Sequence, residues 1–132
     1  MSSLPQLTDE EKQQWLKDKY QVATKFLAEK GLVTVSVSDA DSRYIIPLFS
    51  VWKLNLIDKS SVWVIAGDLP TDYIETTAAK DAREAVRHFS YKWQMQADQL
   101  LQGGIVEQQE FANILISRAE NLYKIFTNDN IW

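Results

Sequence analysis

A chain of 132 residues, 45% hydrophobic and 24% charged, with five each of Trp, Tyr and Phe, has the material for one globular domain with a real core and too little length for two ordinary ones. Fourteen basic against eighteen acidic residues give a net charge of -4, the wrong sign for a protein that binds by neutralising phosphates, so nucleic acid is not expected as a partner. Cysteine is absent, which removes disulfides and thiolate metal sites. No apolar run nears the ~20 residues of a membrane span, because Lys53, Asp58 and Lys59 break the most hydrophobic region, and nothing near Met1 has the pattern of an export signal, so a bacterial-type cytoplasmic protein with no membrane partner is the simplest reading.

Residues 1–7 carry Pro5 and no periodicity; Thr8 followed by Glu11 is the pattern of a capping box, and a helix is expected to start there. Trp15, Leu16, Tyr20, Ala23, Phe26 and Leu27 recur at helical spacing, and the five acidic and five Lys residues between positions 9 and 30 lie mostly off that stripe. Gly31 is a natural stop. The period then changes to two: Val33, Val35 and Val37 share one face of a half-exposed strand, with Thr34 and Ser36 on the other. A polar turn at residues 38–42 leads to strand pieces at 43–46 and 48–54, separated by Pro47, which cannot donate to a ladder and so marks an edge or a bend. After the turn at residues 58–60, the run Val62-Trp63-Val64-Ile65-Ala66 is apolar on both faces and reads as a central strand.

A long helical pattern is expected from about Thr77 to Leu101. Taking about 100° per residue and Val86 as zero, Ala79, Ala82, Phe89, Trp93, Ala97 and Leu100 lie within about 60° and form the buried stripe. Gly103 and Gly104 break it, and a last helix from about Val106 to Phe126 presents Phe111, Ile114, Leu115, Leu122, Ile125 and Phe126. The order is that of a two-layer α+β domain over residues 1–132: a helix, an antiparallel meander of three or four strands, then two helices, with residues 1–7 and 128–132 as flexible ends.

The segment GDLPTD, residues 67–72, is the first place to look for chemistry. Gly67 lets the chain leave the strand, Pro70 suits an early turn position, and Thr71 or Asp72 with Glu75 reads as a cap for a following helix. The functional alternative makes Asp68 and Asp72 an acid/base pair or metal ligands in a cleft at the end of the 62–66 strand, with Arg83, Arg87, Trp52 and Tyr73 as further ligand-binding candidates. Arg83 and Arg87 flank the buried stripe one turn apart. They are a candidate anion pair, or else cover apolar surface with their stems and pair with Asp68, Asp72 or Asp81. His88 is the only histidine, so Ser-His-Asp and two-His metal templates lack partners. One continuous helix over residues 72–88 would hold His88 roughly 24 Å from Asp72. Neither a metal nor a cofactor is expected.

On the opposite side of the same helix, Glu84, His88, Tyr91 and Met95 cluster within about 40° of the direction away from the core. An imidazole, a phenol and a thioether on a face that water should wash point either to the last helix packing there or to a second copy of the chain. At VWK (51–53), WVIAGDLPTD (63–72) and AREAVRHFSYKWQ (82–94), about the central half of the chain, the sequence resembles a small proteobacterial family of unknown function. That resemblance carries no activity, fold or site with it. It implies only that Tyr73 stands where relatives have His, which weakens a metal reading further. The leading expectation is a non-enzymatic interaction or regulatory domain, as a homodimer or with another protein partner; the alternative is a small-ligand-binding protein or metal-dependent enzyme built on the GDLPTD loop.

Overall fold

The computed structural model describes residues 6–132 and has an α+β architecture. Its elements in chain order are α1 (Asp9–Glu29), β1 (Thr34–Val37), β2 (Arg43–Ile45), β3 (Phe49–Leu56), β4 (Ser61–Gly67), β5 (Leu69–Glu75), a 3-10 turn (Thr76–Ala78), α2 (Ala82–Gln102) and α3 (Val106–Phe126). The chain forms two compact units, divided between Thr76 and Thr77. Residues 1–5, most of the N-terminal end expected to be flexible, lie outside the described residues.

In the first unit the capping box forms as the sequence predicts. Glu11 N donates to Thr8 Oγ1 at 3.1 Å and Thr8 N donates to Glu11 Oε1 at 3.0 Å, so two helix-end donors are satisfied reciprocally. α1 packs across β1, β3, β4 and β5. Ala23 and Leu27 are buried against Trp52, Leu54, Leu56, Val62 and Val64, with Leu16, Tyr20 and Phe26 at the margin. The sheet is antiparallel in the order β1-β3-β4-β5, and β2 lies beside β3 as well. β1 and β2 share one edge of β3: β1 pairs with residues 54–56 and β2 with 49–51. Pro47 sits in the turn between β2 and β3, after a cis Ile46–Pro47 peptide. From Val62 to Ala66, β4 is buried on both faces, as expected of a central strand.

Two expectations for this unit are corrected. The valines of β1 do not share one face: a bulge between Thr34 and Ser36 sets two residues against one on β3, leaving Val33 and Val35 exposed while Val37 packs on the core. The second concerns GDLPTD, which does not enter a helix. Residues 69–75 turn back as β5, with Tyr73 opposite Val64 and Asp72 opposite Ile65, and make the sheet five-stranded. Local cap and turn signals lose here to pairing with a buried neighbour, supported by Thr71, Tyr73 and Ile74, whose branched and aromatic side chains favour strands. Pro70 is tolerated because β5 is an edge strand.

In the second unit, Asp81 caps α2 by accepting from Glu84 N at 2.8 Å, so the helix starts five residues later than the periodicity suggests. Gly103 and Gly104 reverse the chain, and α3 returns along α2 over the expected residues 106–126. Small residues let the two backbones approach: Ala97, Ala112, Ala119 and Ser90 are buried between the larger Trp93, Leu115 and Leu122. Ser90 Oγ donates to Ala119 O at 2.8 Å across the helix pair.

Candidate functional site

The exposed side of the α2–α3 pair gathers the most chemistry on one surface. Arg83, in the first turn of α2, donates from Nε to Phe126 O at 2.9 Å and from Nη2 to Asp129 Oδ1 at 2.6 Å. Phe126 is the last residue of α3, so a guanidinium meets carbonyls that no further helical turn serves, at the negative end of the helix dipole. The chain end folds onto the same place, with Trp132 Nε1 donating to Ile125 O at 3.0 Å. Arg83 lies 5.4 Å from the Phe126 ring centre and 6.0 Å from that of Trp132.

Arg87, one turn on, donates to Glu84 Oε2 at 3.0 Å and stands 5.4 Å from the Tyr91 ring and 6.0 Å from Phe126. Hydrogen bonding with Tyr91, then with Glu84, pushes its already high pKa further up, so it stays cationic. Tyr91 meets Tyr123 at 6.4 Å, and Tyr123 meets Phe126 at 6.0 Å. Cations and rings thus interleave from Trp132 through Phe126 to Tyr91 and Tyr123. Much of this remains open to water: Tyr91 is 44%, Tyr123 42% and Met95 65% exposed. Beside it, Ala78, Glu84, Arg87, His88 and Tyr91 line a cavity of about 250 Å³, and His88 Nδ1 is buried with no hydrogen-bond partner.

Of the residues the sequence singles out, Arg83, Arg87, Glu84, His88 and Tyr91 meet on this surface, with Met95 one turn beyond. Arg83 pairs with Asp129 and Arg87 with Glu84. α3 reaches the outer face of α2 only in part, through Tyr123. The contributions of Tyr123, Asp129 and Trp132 escape sequence reasoning, although the aromatic spacing of Tyr123 and Phe126 before a polar turn was visible.

The other candidates belong to the sheet. Trp52 is buried, donates from Nε1 to Ser50 Oγ at 2.8 Å, and packs against Tyr20 and Tyr44 with ring centres 5.4 and 4.7 Å away. The Tyr73 ring meets Phe26 of α1 at 6.1 Å. Both rings therefore build the core beneath α1. Asp72 falls on the opposite face of β5 from Tyr73, by strand alternation, and its Oδ1 accepts from Tyr73 N at 2.8 Å; it caps no helix. Asp68 stands at the β4–β5 turn, where its N–H donates to Leu48 O at 2.9 Å. The helix assumed in separating Asp72 from His88 is absent, since a strand and a 3-10 turn fill residues 69–78. Among the described residues, no three His, Asp or Glu side chains gather in a way that could hold a metal ion, and no helix is long and apolar enough to cross a membrane.

A family model described as a domain of unknown function, DUF4826, matches residues 9–132. The chain belongs to that family. The DUF4826 match takes in both units and every helix and strand, well beyond the central half that carries the resemblance in sequence. No curated protein and no solved structure matches this DUF4826 chain.

Proposed function

We propose that this DUF4826 chain is a non-enzymatic protein-interaction domain that pairs with a second copy of itself through the outer face of α2, with Glu84, His88, Tyr91 and Met95 in the contact and Tyr123 of α3 at its edge. The observation that carries this reading is the half-exposed surface of interleaved arginines and aromatic rings. Tyr, Trp, Phe, Met and Arg are the residues enriched in interface cores and among the side chains that dominate binding energy. Here Arg83 and Arg87 are already held by rings and carboxylates, so less side-chain freedom is lost on association. The patch also complements itself: a two-fold axis sets the arginines of one copy against the rings of the other, and Glu84 against Arg87.

Light scattering on the wild type, Tyr91→Glu and Tyr123→Glu tests the reading. The wild type is expected to be a dimer and both variants monomers, because each removes a ring on which the partner's arginines would pack. A wild type that stays monomeric at high concentration overturns it.

A further inference from the structure

We propose that the cavity beside α2 binds a small zwitterion, an amino acid or a similar amino-carboxylate, with the ligand's ammonium on Glu84 and His88 and its carboxylate on Arg87 and Tyr91. This site shares Glu84, His88 and Tyr91 with the pairing surface, so a bound amino acid and a second copy exclude one another there, and the site stands whether or not the chain pairs. Four polar side chains line one space of about 250 Å³, slightly below the roughly 300–1,000 Å³ of pockets that take drug-sized molecules, so the fitting ligand is a small metabolite.

The charges select among small metabolites. A plain anion drawn to Arg87 would face the Glu84 carboxylate, whose Oε2 lies 3.0 Å from the guanidinium. A plain cation drawn to Glu84 would face Arg87. Only a ligand that carries both charges satisfies both walls, replacing one ion pair by two. Tyr91 adds a hydroxyl donor, and its ring, 5.4 Å from the Arg87 guanidinium, steadies that group for a carboxylate.

His88 supplies the second observation. A buried polar atom without a partner is rare in folded proteins and marks a place where a further group belongs. Neutral imidazole offers the lone pair of Nδ1 as an acceptor. In the proposal the ring turns about its Cβ–Cγ bond, which brings this nitrogen, buried in the unliganded structure, to the ligand's ammonium.

Titration calorimetry on the whole protein, at a concentration where light scattering shows monomers, tests this, using the twenty common amino acids singly, with acetate and ethylammonium as half-ligands. At least one amino acid should bind with a Kd below about 1 mM, and each half-ligand at least about tenfold more weakly. Glu84→Gln and His88→Phe, checked for folding by circular dichroism, should each weaken the amino acid about tenfold. Should a variant fail to fold, the half-ligand comparison on the wild type still decides. No saturable binding by any amino acid, half-ligands that bind as well as the whole, or folded variants that bind unchanged would each overturn the proposal.

Discussion

Gly67 ends β4 against the start of β3, and a Cβ placed on it would lie 2.5 Å from both Leu48 O and Phe49 Cα. Those are backbone atoms that no side-chain rotation can move aside, and φ is +154°. Gly67→Ala should therefore destabilise the protein by roughly 3 kcal/mol, read as a lowered urea midpoint at unchanged slope. Gly103 is the contrast. It caps α2 at φ -66°, and the atoms nearest to an added methyl group would be 3.4 and 3.6 Å away. Gly103→Ala should leave stability within about 0.5 kcal/mol of wild type or raise it, since it mainly restricts the unfolded chain. The sequence marks Gly67 as a place where the chain leaves a strand. It cannot reveal that the crowding atoms come from Leu48 and Phe49, which reach Gly67 only through the β3–β4 pairing.

At the scale of elements, the pattern D-x-x-E occurs twice, at Asp72–Glu75 and at Asp81–Glu84, and only the second caps a helix. Local spacing cannot choose between them; the decision lies in the buried β4, which needs a partner on its open side. Asp81→Ala should cost about 1 kcal/mol and fray the first turn of α2, whereas Asp72→Ala removes no cap. Circular dichroism melts on both variants distinguish the two roles. The α2–α3 contact offers a sharper case: the buried Ala119 leaves no room for a larger side chain, and Ala119→Leu should lose roughly 1–3 kcal/mol by overpacking. Acid exposes the caps and turns of the first unit. Glu11 is held below its usual carboxylate range by hydrogen bonds with Thr8, Asp41 by Ser38 and then by the charge of Lys53, and Asp58 by Ser60. Such groups stabilise the fold fully above their unfolded-state values and lose that contribution as pH falls below about 4. Urea midpoints should hold near neutrality and fall in that acid window, and the fall should be shallower in Asp41→Asn. Helices α1 and α3 were legible almost to the residue because their apolar stripes and stops agree. β5 was not, because its turn residues imitate a helix start.

For the whole molecule, the reading as one cooperative domain predicts that the slowest-exchanging amides of β4 and of α2 open with the same free energy in native-state hydrogen exchange; two distinct values would mean that the units unfold separately. The candidate surface was half legible at this scale. Spacing alone put Glu84, His88, Tyr91 and Met95 on the outer side of α2, with Arg83 and Arg87 flanking the buried stripe, but Tyr123, Phe126 and Trp132 join them only because the turn at Gly103 and Gly104 carries the end of α3 back to the start of α2. The irregularity in β1 has a further meaning in a crowded solution. β1 is an outermost strand of the sheet, with Val33 52% and Val35 63% exposed, a combination that invites strands of other molecules to add on and grow into fibrils. The extra residue at the bulge interrupts the regular ladder that such growth would copy. Deleting Val35 restores two-residue alternation along the edge and should shorten the lag before thioflavin-positive fibrils form under agitation, while Val35→Lys, which keeps the bulge and adds a charge, should lengthen it.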